Sequence, residues 1–246
     1  MRHSPVLAIM QPYFFPYLGY WQLIAASDIF VLNDDVQYIR HGWINRNRIL
    51  RPDNGWTYMV VPLHRSACDT RIRDMRIDDS QPWRERIRGQ LAAAYRKAPH
   101  FRLVMELVDT ALDTRTSHIA DLNAAIIGLV CHELGLSARL RVQSSGGFDY
   151  TNIREAGDWS LEVGHQIGAG TYINPIGGAA LYRADRFQAR NMELNFLKMD
   201  ERVYDQQRAD FESSLSIIDV LMFTGIDGVK ERLKACQIIQ AQNMIS

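Results

Sequence analysis

Two short apolar strands, Val6 to Met10 and Asp28 to Leu32, are separated by just enough chain for one helix, and this opening most constrains what the chain can become. Short runs without polar alternation belong to strands buried on both faces. Between them, Leu18, Trp21, Leu23 and Ile24 recur at helical spacing, which predicts a helix from Tyr17 to Ser27. A strand, a helix and a second strand close up as a parallel pair with a right-handed crossover. From its first element, then, the chain is committed to an α/β sheet flanked by helices.

The same alternation returns in the second half. Arg139 to Gln143 reads as a strand, Ile153 to Ile167 as a helix and Gly170 to Ile173 as a strand. A short helix over Ala179 to Phe187 and a strand over Leu194 to Lys198 follow. Trp56 to Leu63 reads as a further strand ended by Pro62. Between the halves lie three helices, near Gln81 to Tyr95, Pro99 to Asp113 and Ser117 to Leu134, the last stopped by Gly135. The expectation is a single domain over 1–246: a Rossmann-like parallel sheet of about five strands, with a helical block at 81–135 inserted between its halves. Leu215 to Phe223 is apolar nearly all round and reads as a buried packing helix ending at Thr224-Gly225.

Basic and acidic residues number 28 each, so no overall field draws in nucleic acid or an anionic membrane. An anionic ligand must be met by a local cluster. The apolar run after Met1 is too short for a secretory signal, and no later stretch reaches membrane-spanning length. The expected location is the cytoplasm. Cys68, Cys131 and Cys236 are scattered and odd in number, matching neither a disulfide framework nor a zinc pattern, and Cys131 reads as core. No metal-ligating set is assigned.

In open parallel sheets, ligands gather beyond the carboxyl ends of strands. The first such loop is Gln11-Pro-Tyr-Phe-Phe-Pro-Tyr-Leu-Gly-Tyr20, stiffened by two prolines, with Gly19 permitting close approach of backbone or ligand. A helix starting there would offer unpaired amides to a phosphate or carboxylate. Phe14 and Phe15 read as packing, whereas Gln11, Tyr13 and Tyr20 combine bulk with polar tips and are candidate ligand contacts. The second strand runs into Asn33-Asp34-Asp35-Val36-Gln37-Tyr38. Asp34 and Asp35 are the candidate catalytic carboxylates; either could hold magnesium, orient an amine or act as a general base, and a turn or cap is the structural alternative. Gln37 is a neighbouring binding candidate. In Trp43-Ile-Asn-Arg-Asn-Arg48, two amides interleaved with two arginines behind a tryptophan could grip a carboxylate, phosphate or sugar hydroxyl, with Trp43, Asn45, Arg46 and Asn47 the candidate contacts, and a solvated polar turn is the structural alternative.

A second glycine-containing strand end, Gly170-Thr-Tyr-Ile-Asn-Pro-Ile-Gly-Gly178, supplies Tyr172, Asn174, Gly177 and Gly178 as candidates for the same cleft. Tyr204-Asp-Gln-Gln207 contributes Tyr204 and Gln206 as a third, weaker group. No Gly-x-Ser-x-Gly elbow, serine triad order or paired-histidine metal motif is present, which disfavours those hydrolase chemistries.

These blocks, with Asp28-Ile-Phe-Val31, Tyr182 and Phe211 to Asp219, resemble the WbqC-like protein family over nearly the whole chain. The family's usual tryptophan near Tyr17 and small residue near Asn174 are replaced here. The resemblance implies a glycine or small-acyl transferase of bacterial surface-polysaccharide (O-antigen, lipopolysaccharide) synthesis. Its substrates would be a nucleotide-linked amino sugar and an amino acid or acyl donor. ATP with magnesium is the candidate cofactor if activation occurs on this chain. The opening unit also looks like that of nucleotidyltransferases and adenylate-forming enzymes, although Tyr17-Leu-Gly-Tyr20 stands where their His-x-Gly-His signature would be. An adenylylating enzyme and a noncatalytic nucleotide-sugar-binding protein are the alternatives.

Overall fold

The computed structural model describes residues 4–244. Strand β1 (Val6–Met10) leads through a buried loop into helix α1 (Leu18–Ala25) and strand β2 (Ile29–Leu32). An antiparallel hairpin, β3 (Arg46–Leu50) and β4 (Trp56–Val60), stands outside the main sheet. Helices α2 (Trp83–Tyr95), α3 (Phe101–Leu112) and α4 (Ile119–Leu134) follow. The chain then alternates through β5 (Arg139–Val142), α5 (Asp158–Ile167), β6 (Thr171–Pro175), α6 (Ala184–Gln188) and β7 (Glu193–Met199) before α7 (Ile217–Leu233) and β8 (Cys236–Gln240).

The main sheet has the order β5-β2-β1-β6-β7-β8, with the first five strands parallel and β8 antiparallel to β7. Counted along the chain, the parallel strands stand 3-2-1-4-5, the Rossmann order, which reverses between β1 and β6. Successive residues alternate between faces. Leu7 and Ile9 pack on the face covered by α5 and α6, with Val31, Tyr172 and Phe187. Ala8, Phe30 and Ile173 join the larger core formed with α1, the hairpin, α2 to α4 and α7. Cys131 is buried in that core, where desolvation pushes its thiol up to about 12.

Four details depart from the sequence expectation. Arg46 to Arg48, part of the string that could be a polar turn, belongs instead to strand β3, because β4 pairs with it residue for residue. The helix expected from Ile153 begins only at Asp158. The helix expected over Ala179 to Phe187 is a 3-10 turn at Ile176–Leu181 followed by the short α6. The packing helix does stop at Gly225 as expected, where φ is 66° and ψ −176°, but a second helical stretch reaching Leu233, which the sequence did not lead one to expect, follows it within α7. A β-carbon at Gly225 would lie 2.7 Å from the His100 ring, so both the kink and the close packing require glycine.

The loop after β1 is buried at Pro12, Phe14, Phe15 and Pro16, so its carbonyls cannot turn to water. Side chains satisfy them. Asn47 Nδ2 donates to the Phe14 and Phe15 carbonyls at 3.0 and 2.8 Å, and the Ser216 hydroxyl donates to Phe15 O at 2.8 Å. Asn123 Nδ2, on α4, donates to the Pro12 and Ile44 carbonyls, both at 2.7 Å. Phe15 holds a positive φ of 40° inside this clamp. Replacing Asn123 by leucine strips both carbonyls of a donor, and each buried orphan costs about 1–3 kcal/mol. The Asn123→Leu variant is expected to unfold at clearly lower denaturant; an unchanged midpoint would show that α4 does not brace the loop.

Candidate functional site

A cavity of about 690 Å³ opens at the carboxyl ends of β1 and β6, where the strand order reverses. Its sheet wall is formed by Ile9, Met10, Gln11, Asn33, Tyr172 and Asn174. The loop after β1, the hairpin and the segment before α7 add Tyr13, Tyr17, Trp43, Asn47, Arg48 and Ser214 to the lining. Trp159 and Ser160 of α5 and the turn bearing Gly177, Gly178, Leu181 and Tyr182 complete the enclosure, with Gln37 and Ile39 also on the wall. The first loop, the Trp43 to Asn47 region and the Tyr172 to Gly178 strand end, all singled out from sequence, are thereby brought together.

Among the described residues lining the cavity, Arg48 alone carries a formal charge. Its guanidinium lies 5.6 Å from the Trp43 ring and 5.2 Å from the Trp56 ring, and one Nη donates to the Ser214 carbonyl at 2.9 Å. Arg48 Nε is buried with no partner. Burial raises the Tyr13 phenol to about 12 and, with the Glu201 carboxylate nearby, also raises Tyr17. Both remain protonated donors at neutral pH. Asn174 Nδ2 donates to the Tyr172 and Tyr182 hydroxyls at 2.8 and 3.2 Å, and those hydroxyls stand 3.1 Å apart. A β-carbon on Gly178 would collide with Asn174 Oδ1, so glycine there makes room for this triangle, whereas Gly177 faces open space.

Several other candidates from the sequence are placed elsewhere. Asp34 is buried and accepts from the Ser144 amide at 2.9 Å and the Ser144 hydroxyl at 2.6 Å, which ties the end of β2 to the loop after β5. The Asp35 carboxylate, 2% exposed, pairs with Arg71 and Arg73, each at 2.7 Å. Neither carboxylate lines the cavity. Gln37 lines it, although its Nε2 donates to Cys68 O at 2.6 Å. Tyr20 is wholly buried and donates to the Gln11 carbonyl at 3.0 Å, fixing the residue that does face the cavity. Gly19 is approached by the Tyr17 ring and Met199, within 3.0 Å of where its β-carbon would be, so the close approach is internal packing. Asn45 accepts from the Tyr38 hydroxyl and donates to Val61 O. Arg46 donates to the Gly42 and His41 carbonyls and covers the Tyr58 ring at 4.1 Å. Both shape the loop that presents Trp43.

Sequence reasoning missed Asn33, Trp159, Ser160 and Ser214 as wall residues, and of the two arginines in the Trp43 to Arg48 string it favoured Arg46 over Arg48. Arg48 was legible in principle, since it ends the same Trp-Ile-Asn-Arg-Asn-Arg string and alternates with Arg46 along β3. Ser214 and Trp159 carry no local mark of the cavity.

Tyr204 and Gln206 form a separate buried group around Asp219 of α7. The Tyr204 hydroxyl and Gln206 Nε2 donate to Asp219 Oδ2 at 2.6 and 2.8 Å, anchoring the 204–212 loop to the helix. Burial, outweighing these bonds, raises the Asp219 carboxyl from 3.8 to about 6. A carboxyl raised on folding contributes stability that is complete below its ordinary value and is lost as pH rises through its folded value. The advantage of wild type over Asp219→Asn is therefore expected to be greatest near pH 4 and to shrink until pH passes about 6. Denaturant midpoints of the two proteins measured across that range check this; a gap independent of pH would remove the titration.

Among the described residues, no helix is long and apolar enough to cross a membrane. A curated protein of Mycobacterium tuberculosis (strain ATCC 25618 / H37Rv), titled "Uncharacterized protein Rv1507c", is 27% identical over 234 residues, covering 94% of this chain and 98% of its own. No solved structure matches the chain. The model of the WbqC-like protein family matches residues 11–231, a span that contains the first loop, the hairpin, the second glycine-bearing strand end and most of α7, and the chain belongs to that family.

Proposed function

We propose that this protein binds a nucleotide-linked amino sugar in the cavity and joins an amino acid, such as glycine, or another small acyl group to the sugar amine, in bacterial surface-glycan synthesis. The observation that carries the reading is the wall itself. Aromatic plates, several side-chain amides and one guanidinium, placed at the strand-order reversal, suit a ligand that is flat or ring-shaped, rich in hydroxyls and locally anionic. Arg48 would meet the diphosphate, and Gln11, Asn47 and Asn174 would face the sugar.

In the transfer, the amine lone pair attacks the acyl carbonyl and a carbon–nitrogen bond forms. The bond to the leaving group then breaks, and that group departs with its electron pair and takes up the proton lost by the amine. The protein's part is to hold the two reactants together and exclude water. A magnesium ion takes an oxygen donor set that usually includes a carboxylate. The wall has no carboxylate, so the residues present do not fit a magnesium–ATP site. We therefore assign activation of the acyl group to an earlier step, with the donor arriving as a thioester or acyl phosphate. Asp34 and Asp35 would act as positioning residues, holding the loops that carry Asn33 and Gln37.

A second reading, a noncatalytic nucleotide-sugar-binding protein, is favoured by the same lack of a carboxylate or histidine on the wall. The test is incubation with nucleotide amino sugars and amino acids, either as activated thioesters or with ATP, followed by mass measurement of products. The expected product is an amide formed from the activated donor without ATP. Tight binding with no amide across the panel supports the second reading, and pyrophosphate release without amide points to adenylylation instead. Arg48→Met is expected to weaken nucleotide-sugar binding about tenfold or more, the loss of one charge-assisted contact. Undiminished affinity in calorimetry would remove Arg48 from the site.

A further inference from the structure

Two phenols and one amide converge where β6 runs into the turn that follows it. Asn174 Nδ2 donates to the Tyr172 and Tyr182 hydroxyls at 2.8 and 3.2 Å, and the hydroxyls stand 3.1 Å apart. A hydroxyl has one proton to give and two lone pairs that receive. Only one proton can lie between the two oxygens, so the other points out of the triangle. Burial decides which one. Both residues stand on the cavity wall, but Tyr172 is fully buried whereas Tyr182 is partly exposed. Were Tyr182 the donor, the Tyr172 proton would be left in the interior without an acceptor, which costs stability. Burial and then the Tyr182 phenol raise the Tyr172 phenol well above its ordinary value, while Asn174 and Ser160 pull it down, as groups donating to its oxygen do. Tyr172 therefore keeps its proton and gives it to Tyr182.

The Tyr182 oxygen then accepts from Asn174 and from Tyr172, and both of its lone pairs are filled. What remains is one O–H, directed away from the triangle and polarised by the two bonds behind it. A ligand can meet it only with an acceptor atom. The surroundings narrow the kind of acceptor. β-Carbons on Gly157 and Gly178 would lie 3.9 and 3.8 Å from the Tyr182 ring, so the start of α5 and the turn after β6 both close on it. Ala156, Pro175 and Leu181, which also line the cavity, are apolar, and Gly177 leaves open space. A small acyl group fits such a corner, with its carbonyl oxygen on Tyr182 and its carbon chain against the apolar side chains.

We propose that Tyr182 is a catalytic residue: its hydroxyl, oriented by Asn174 and Tyr172, donates to the carbonyl oxygen of the acyl group as that oxygen gains negative charge in the transfer. The inference rests on the acyl-transfer reading for its reaction, whereas the placement of the proton stands on these residues alone. As the amine nitrogen bonds to the carbonyl carbon, the π pair of the carbonyl moves onto oxygen, and Tyr182 holds that charge without giving up its proton. The pair returns as the bond to the leaving group breaks. That group departs with its own electron pair and takes the proton lost by the amine. Asn174 and Tyr172 are positioning residues.

The test uses Tyr182→Phe, which keeps the ring packed among Tyr172, Phe187 and Phe196, and Tyr172→Phe, which removes one of the two bonds that orient the hydroxyl. With a glycyl thioester and uridine diphosphate glucosamine as substrates, Tyr182→Phe is expected to lower kcat about 100-fold with KM little changed, the loss of one donor to a developing oxyanion. Tyr172→Phe is expected to lower kcat less, and to cost nothing further when added to Tyr182→Phe, whereas a purely structural role would add. Wild-type kcat in either variant, or additive losses, overturns the assignment and leaves acyl transfer standing. If no amide forms, the transfer reading fails and calorimetry decides Tyr182 separately. It compares uridine diphosphate N-acetylglucosamine with uridine diphosphate glucosamine, and acetyl coenzyme A with coenzyme A. Binding of the acetylated member of either pair about tenfold more tightly than its partner, with the preference lost in Tyr182→Phe, supports a hydroxyl that reads a carbonyl. Equal binding within both pairs, a preference that survives in Tyr182→Phe, or no binding of any probe overturns it.

Discussion

The structure depends on how the buried loop after β1 satisfies its carbonyl groups. A strand-to-helix connection usually runs along the surface, where water takes up unpaired backbone groups. This one passes through the core with two prolines that have no amide to donate, and Asn47, Asn123 and Ser216 supply the missing donors from β3, α4 and the start of α7. Three remote parts of the chain are thus fixed to one ten-residue segment. That fixing also brings Asn47 and Arg48 of the hairpin opposite the sheet edge, without which the switch point would be an open groove.

Charge is managed by separation. Acidic groups near the site are occupied by partners, Asp34 by Ser144 and Asp35 by two arginines, while the cavity wall keeps amides, phenols and a single guanidinium. A wall of this kind discriminates by direction and number of hydrogen bonds more than by field strength. It also spares an uncharged ligand the desolvation of an opposing carboxylate. Burial raises the Tyr13 and Tyr17 phenols for the same reason, and they act as fixed donors with no part in proton transfer at neutral pH.

Much of this was legible in the residues. The five parallel strands and the three central helices follow from apolar spacing, because that spacing is set by burial on a sheet or a helix face. The loops around Gln11 and Asn174 were legible because ligands gather at strand ends in such sheets. What was not legible depends on long-range partners. Arg46 to Arg48 has the composition of a turn and becomes part of a strand through pairing with β4, and the short β8, with three of its five residues exposed, is recruited by the edge of β7. Asp34 and Asp35 look like free acids in sequence because Ser144, Arg71 and Arg73 lie 36 or more residues away. Gly225 does end the first helical stretch of α7, and the second stretch after it, which packs Val229 and Leu233 on the core, carries no comparable local mark.

The cavity wall is drawn from at least five stretches of chain: residues 9–17, 33–48, 156–160, 172–182 and Ser214. No single segment, and neither half of the sheet, contains a complete set. A ligand seated there would act as a noncovalent cross-link between both ends of the sequence, so its binding energy would add to the stability of the whole fold. Heat resistance conferred by a small molecule would then report occupancy before any reaction is known, and a truncated chain would lose recognition and cohesion together.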